Sequence, residues 1–144
     1  MSKRREKRKV KKKKTVEMEI PCIIFLSTDE HDSFDLAEAK ENRQLKYICE
    51  YADAHGLVPV RIVRRSCMGQ GVCNELFKKC IRYMHVGRPK AILVANMSLI
   101  STSEADAYYK IGMVRENGFQ IFSVDDKGKL ELGLTGFGGR KDEG

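Results

Sequence analysis

The feature that most constrains this chain is an apolar run, Ile20-Pro-Cys-Ile-Ile-Phe-Leu26, which stops at Ser27 and gives way to Thr28, Asp29, Glu30, His31 and Asp32. A run of strand length with β-branched residues and polar punctuation at its end predicts a buried strand that delivers Ser27 to a sheet edge. The carboxyl ends of strands are where parallel α/β sheets hold their chemistry. The competing reading is structural: Ser27, Thr28 or Asp29 opens a loop and caps the next helix.

The rest of the chain alternates in the same manner. Asp32-Ser-Phe34 offers a helix start, and Leu45, Ile48, Cys49 and Ala52 recur at the spacing of one helical face, which His55-Gly56 ends. Leu57 to Val63 reads as a second strand with Pro59 near its start. Residues 64 to 74 read as a glycine-containing connection. Leu76, Phe77, Cys80, Ile81 and Met84 mark a second amphipathic helix, stopped near Gly87 and Pro89. Ala91 to Ala95 is a fully apolar third strand. Ser101-Thr-Ser-Glu104 suggests a capping box for a third helix through Ala107, Ile111 and Val114. Phe119 to Val124 is a fourth strand. Asp125-Asp-Lys-Gly128 is a turn, and Lys129 to Leu134 alternates as a short edge strand.

Strands alternating with helices need right-handed crossovers, which give a parallel sheet covered on both faces. The expected fold class is therefore α/β: a three-layer sandwich with a mostly parallel four-stranded sheet and an antiparallel edge strand. The expected organisation is a basic arm over residues 1–17, one domain over 18–135, and a glycine-rich, polar tail over 136–144. A hydrophobic fraction of 42% suits one soluble core.

Charge is placed unevenly. Lys3, Arg4, Arg5, Lys7, Arg8, Lys9, Lys11, Lys12, Lys13 and Lys14 stand against one acid, Glu6, so residues 1 to 14 carry +9 of a net +7 and the remainder is −2. Such a block predicts a solvated, disordered arm. Its functional reading is contact with nucleic-acid phosphates, which releases counterions. The bland reading is a solubility tail, and a polybasic stretch also suits a membrane surface or a localisation signal. There is no apolar run of about 18 residues and no secretory pattern, so the expectation is a cytoplasmic protein that does not enter a membrane.

Catalytic and cofactor motifs are sparse. Cys22, Cys49, Cys67, Cys73 and Cys80 form no Cys-x-x-Cys pair and are expected as reduced thiols. Zinc held by Cys67, Cys73, Cys80 and His85 does not fit the usual paired spacing, so no metal is expected. Gly69-Gln-Gly71 has Asn74 where a dinucleotide fingerprint needs its third glycine, and no phosphate-binding loop of the Walker type occurs, so no cofactor is expected. A Ser27/His31/Asp32 hydrolytic triad is too compressed in sequence for triad geometry. Tyr108 and Tyr109 suit base stacking, or equally one ring on the sheet and one in solvent.

The order of elements and the words Phe25-Leu-Ser-Thr-Asp-Glu-His31 together resemble the catalytic domain of the serine recombinases, the resolvase/invertase family. The resemblance also takes in Arg43-Gln-Leu45, Tyr51-Ala52, His55-Gly56, the apolar third strand and Asn117-Gly118-Phe119, over roughly residues 20 to 125. It implies a resolvase-like fold. It also implies that Ser27 matches the nucleophile that attacks a DNA phosphodiester to form a phosphoseryl link, assisted by arginines. The assisting groups depart from the pattern: Phe25 and Ile23 stand where the family has arginine and tyrosine. Met97-Ser-Leu-Ile-Ser101 stands where it has Asp-Arg-x-x-Arg, Val72-Cys73 near its Arg-Pro, and Arg64 near the acid that ends strand two. Arg61, Arg64, Arg65 and Arg88 are the cations left to compensate, and Arg64 and Arg65 join the arm as expected nucleic-acid contacts. The resemblance stops short of the family's long dimer helix and its helix-turn-helix reader.

The implied function is a DNA-associated, recombinase-like domain with strand exchange lost or impaired, in a regulatory role beside an active recombinase partner or a second copy. The alternatives are a small α/β protein-interaction module with no nucleic-acid role, and an active site-specific recombinase fragment using Ser27.

Overall fold

The computed structural model describes residues 19–28 and 31–125. In chain order it contains β1 (Ile20–Leu26), α1 (Phe34–Ala54), β2 (Leu57–Arg64), α2 (Gln70–Val86), β3 (Ala91–Val94), a 3-10 turn (Met97–Leu99), α3 (Glu104–Glu116) and β4 (Gln120–Ser123). All pairings are parallel, in the order β2-β1-β3-β4. The predicted edge strand at 129–134, the arm and the tail lie outside the described residues.

β1 is central and buried on both faces, which is why its sequence is continuously apolar rather than alternating. Cys22, Ile24 and Leu26 meet Ile48 and Ala52 of α1 on one face. Ile23 and Phe25 meet Phe77, Cys80 and Met84 of α2, and Ala107, Ile111 and Val114 of α3, on the other. Those two cores, with the sheet between them, are the three layers. β2 runs along the edge, where a proline at position 59 costs no central hydrogen bond, and Val60 and Ile62 are exposed. Among the described residues no helix is long and apolar enough to cross a membrane.

Three local expectations need correction. The buried stripe of α1 is Ala37, Glu41, Gln44, Ile48 and Ala52, whereas Cys49 is exposed, because the stripe follows the sheet rather than the apolar count. α2 begins at Gln70, so Gly71 lies in its first turn and the connection is shorter than residues 64 to 74. The cap of α3 is Ser103, not Ser101: Ser103 Oγ accepts from the amide of Asp106 at 3.1 Å, while Asp106 Oδ2 accepts from the amide of Thr102 at 3.0 Å. Ser101 is buried instead.

Candidate functional site

The chain leaves β1 toward β2 and later returns to β3 on the opposite side of β1. The loops after β1 and β3 therefore diverge at the carboxyl ends of the two strands, the point at which open α/β sheets place a ligand crevice. Ser27 and the 3-10 turn occupy that point. Asn96 caps the turn through its Oδ1, which accepts from the Ser98 amide at 2.8 Å. Met97 and Ile100 are buried beneath it.

Ser27 is 1% exposed. Its backbone is gripped by one amide side chain: the Ser27 N–H donates to Gln44 Oε1 at 3.1 Å, and Gln44 Nε2 donates to the Ser27 carbonyl at 2.7 Å. Its hydroxyl donates to the Leu99 carbonyl at 2.6 Å. Arg65, just past the end of β2, reaches the same point. Its Nη1 donates to Ser27 Oγ at 3.3 Å and to the Leu99 carbonyl at 3.1 Å, and its Nε donates to the Met68 carbonyl at 2.6 Å. The guanidinium thus bridges the serine and the plug formed by the 3-10 turn.

The sequence places Arg65 with Arg64 on the connection after β2 as an expected nucleic-acid contact; the side chain is 4% exposed and turned onto Ser27. Its inward course follows from the next two residues, Ser66 (φ 55°) and Cys67 (φ 58°), both in the left-handed region. That conformation costs non-glycine residues about 1–2 kcal/mol each, so it persists only where neighbours enforce it. Glu41 and Thr28 do so. Glu41 Oε2 accepts from the Ser66 amide at 2.8 Å and from Thr28 Oγ1 at 3.4 Å, and Thr28 Oγ1 accepts from the Cys67 amide at 3.2 Å. Burial pushes the Glu41 carboxyl above the ordinary carboxylate range, against the opposing effects of the Ser66 amide, Arg64 and Thr28. Arg64 is partly exposed; its Nη1 stands 3.6 Å from Glu41 Oε1 and its Nη2 donates to Asn42 Oδ1 at 3.0 Å.

The far wall is polar as well. Ile100's carbonyl accepts from Gln70 Nε2 at 2.9 Å and from Cys73 Sγ at 3.7 Å. Burial raises the Cys73 thiol, while the charges of Arg65 and Lys110 pull it back. Lys110 is itself buried and paired with Asp106 at 2.6 Å. Sequence reasoning missed Glu41, Gln44 and Lys110 as site residues and weighed Cys73 only as a zinc ligand and against the family's Arg-Pro. Their signal was a polar residue falling on a helix's buried stripe.

The other candidates do not converge. Asp32 pairs with Lys40 at 2.9 Å, while the Ser27 hydroxyl is engaged by Leu99 and Arg65, so no Ser27/His31/Asp32 triad is assembled. His85 Nε2 lies 2.7 Å from Asn117 Oδ1, and burial pushes the Cys80 thiol up to about 12. Among the described residues no group of His, Cys, Asp and Glu is arranged to hold a metal. Arg61 stacks on Tyr83, 3.9 Å from the ring centroid. Tyr108 and Tyr109 are both exposed, which corrects the expectation of one ring on the sheet.

The parallel sheet in the order β2-β1-β3-β4, with helices on both faces, is the fold of the serine recombinase catalytic domain. Three solved structures share it. A resolvase family site-specific recombinase from Streptococcus pneumoniae superposes with a TM-score of 0.64 at 13% identity, covering 87% of this chain and 87% of that one. The N-terminal catalytic domain of TP901-1 integrase gives 0.56 at 17% identity, over 74% of this chain and 78% of that one. The C-terminal catalytic domain of ISC1926 TnpA, an IS607-like serine recombinase, gives 0.56 at 21% identity, over 78% and 75%. No protein-family model and no curated protein matches the sequence.

Proposed function

We propose that this chain is a DNA-associated, serine-recombinase-like domain in which Ser27 serves as a structural junction and strand exchange is lost or impaired. One observation carries the reading: a serine 1% exposed, whose hydroxyl proton is committed to the Leu99 carbonyl at 2.6 Å. Attack on a phosphodiester requires Oγ to reach phosphorus and to give up its proton to a base. A backbone carbonyl is no such base, and the nearby guanidinium is occupied by two carbonyls as well as the hydroxyl. Loss of a single preorganised donor for developing charge costs ~10²- to 10³-fold in rate. In this reading the basic arm supplies the affinity for DNA, and the domain acts beside an active recombinase or a second copy.

The test is incubation with supercoiled DNA and with a nicked suicide substrate. The expected result is no covalent protein–DNA product from the wild type or from Ser27→Ala. A phosphoserine-linked adduct formed by the wild type and absent from Ser27→Ala overturns the reading. It would support the second one, an active domain in which the 3-10 turn lifts and Arg65 follows the phosphate. That alternative is favoured by the 3.3 Å approach of Arg65 Nη1 to Ser27 Oγ.

A further inference from the structure

Glu41 is the only carboxylate fully buried among the described residues, and it lies one helical turn before Gln44 on the stripe that α1 turns toward the sheet. A carboxylate is costly there unless its oxygens are used. Oε2 is used twice, by the Ser66 amide and the Thr28 hydroxyl. Through Thr28 it also bears on the Cys67 amide. Both residues of the left-handed pair, which follow β2, are therefore fastened by one assembly, Glu41 with Thr28, supplied by α1 and the end of β1. The turn closes directly on Arg65: the Arg65 amide continues the β2 ladder to the Leu26 carbonyl at 2.9 Å, and the Met68 amide returns to the Arg65 carbonyl at 3.2 Å.

We propose that Glu41 is a positioning residue that holds the Arg65 guanidinium on Ser27, acting through the Ser66–Cys67 turn. The inference rests on the reading of the Ser27 crevice as locked and names what locks it. Its chemistry is acceptor capacity: an apolar side chain of equal size offers the Ser66 amide nothing, whereas a glutamine keeps one carbonyl oxygen in place. Without an acceptor the two left-handed residues relax, and Arg65 loses the approach that seats it.

The experiment uses the full chain with Cys49→Ser, since Cys49 is an exposed thiol while Cys22, Cys73 and Cys80 are buried. Glu41→Leu and Glu41→Gln are compared with that parent by two readouts: the rate of thiol labelling at Cys67, and the solvent exchange of the Arg65 Nε–H by NMR. Glu41→Leu is expected to label about tenfold faster, the size of one lost buried hydrogen bond, and to lose protection at Arg65. Glu41→Gln is expected to stay near the parent on both. Protection at Arg65 retained in folded Glu41→Leu overturns the proposal. So does Glu41→Gln behaving as Glu41→Leu, or Cys22, Cys73 and Cys80 reacting in step with Cys67, which reports general loosening. Neither readout involves DNA, so a phosphoseryl adduct would defeat the reading of Ser27 without deciding this one.

Discussion

At the scale of single residues, the Ser27 crevice concentrates its cost in Glu41. Burial raises the carboxyl above its ordinary value of 4.5, so the folded chain holds that proton more tightly than the unfolded chain does. The linked contribution is fully present below the unfolded value and is lost as pH rises through the raised one. Thermal unfolding from pH 4.5 to 8 should therefore show Glu41→Gln gaining on the wild type as pH rises, because the amide carries no charge to desolvate. Parallel curves for the two proteins would contradict this. The same residue explains why the site was only half legible in the sequence. Ser27 announced itself by ending an apolar run. Arg65 did not, since its inward turn depends on the left-handed Ser66 and Cys67, held by a glutamate 25 positions before Ser66.

At the scale of elements, apolar runs and helical spacing located the four described strands and the three α-helices, though not the 3-10 turn, because apolar side chains are what the two faces of a sheet collect. It failed where a buried stripe turns polar. On α1 the stripe is apolar at Ile48 and Ala52, which pack on the strands, and polar at Glu41 and Gln44, which serve the end of β1. A count of apolar residues sees only the first part and drifts onto Cys49. α2 starts early for a different reason: Gly69 takes the cap with no side-chain bond, so no cap residue marked the start. α3 carries a further consequence. Gly112 lies inside the helix, and a Cβ there would meet nothing within 4 Å. Gly112→Ala should stabilise the protein by ~0.5–1 kcal/mol, read as a higher denaturant midpoint at an unchanged slope. A lower midpoint would mean that position 112 of α3 is constrained by something outside the helix.

At the scale of the whole molecule, charge and fold are separate in sequence. Residues 1 to 14 carry +9 and the rest of the chain −2, so the recombinase-like body brings no net attraction to a polyanion. If the arm supplies the affinity, six phosphate contacts would lose ~10³-fold in binding between 50 and 200 mM salt. Deleting residues 1 to 14 should remove most of the binding and most of that salt dependence, by titration of a labelled duplex. Equal affinity with and without the arm would shift the DNA contact to the body, where Arg64 is the partly exposed candidate and Arg65 is turned inward.

The position of β1 has a consequence for how the chain comes into being. It precedes the other described strands yet lies between two later neighbours, with β2 on one flank and β3 on the other. A ribosome adding ~5–20 residues per second leaves an interval of seconds in which the β3 flank of Ile20–Leu26 has no partner. During that time the most apolar segment of the nascent protein is an open template for any passing strand. The parallel, long-range pairings that must close it are intrinsically slow to form. The strand that makes the crevice is thus also the segment most in need of a chaperone's shelter before the crevice exists.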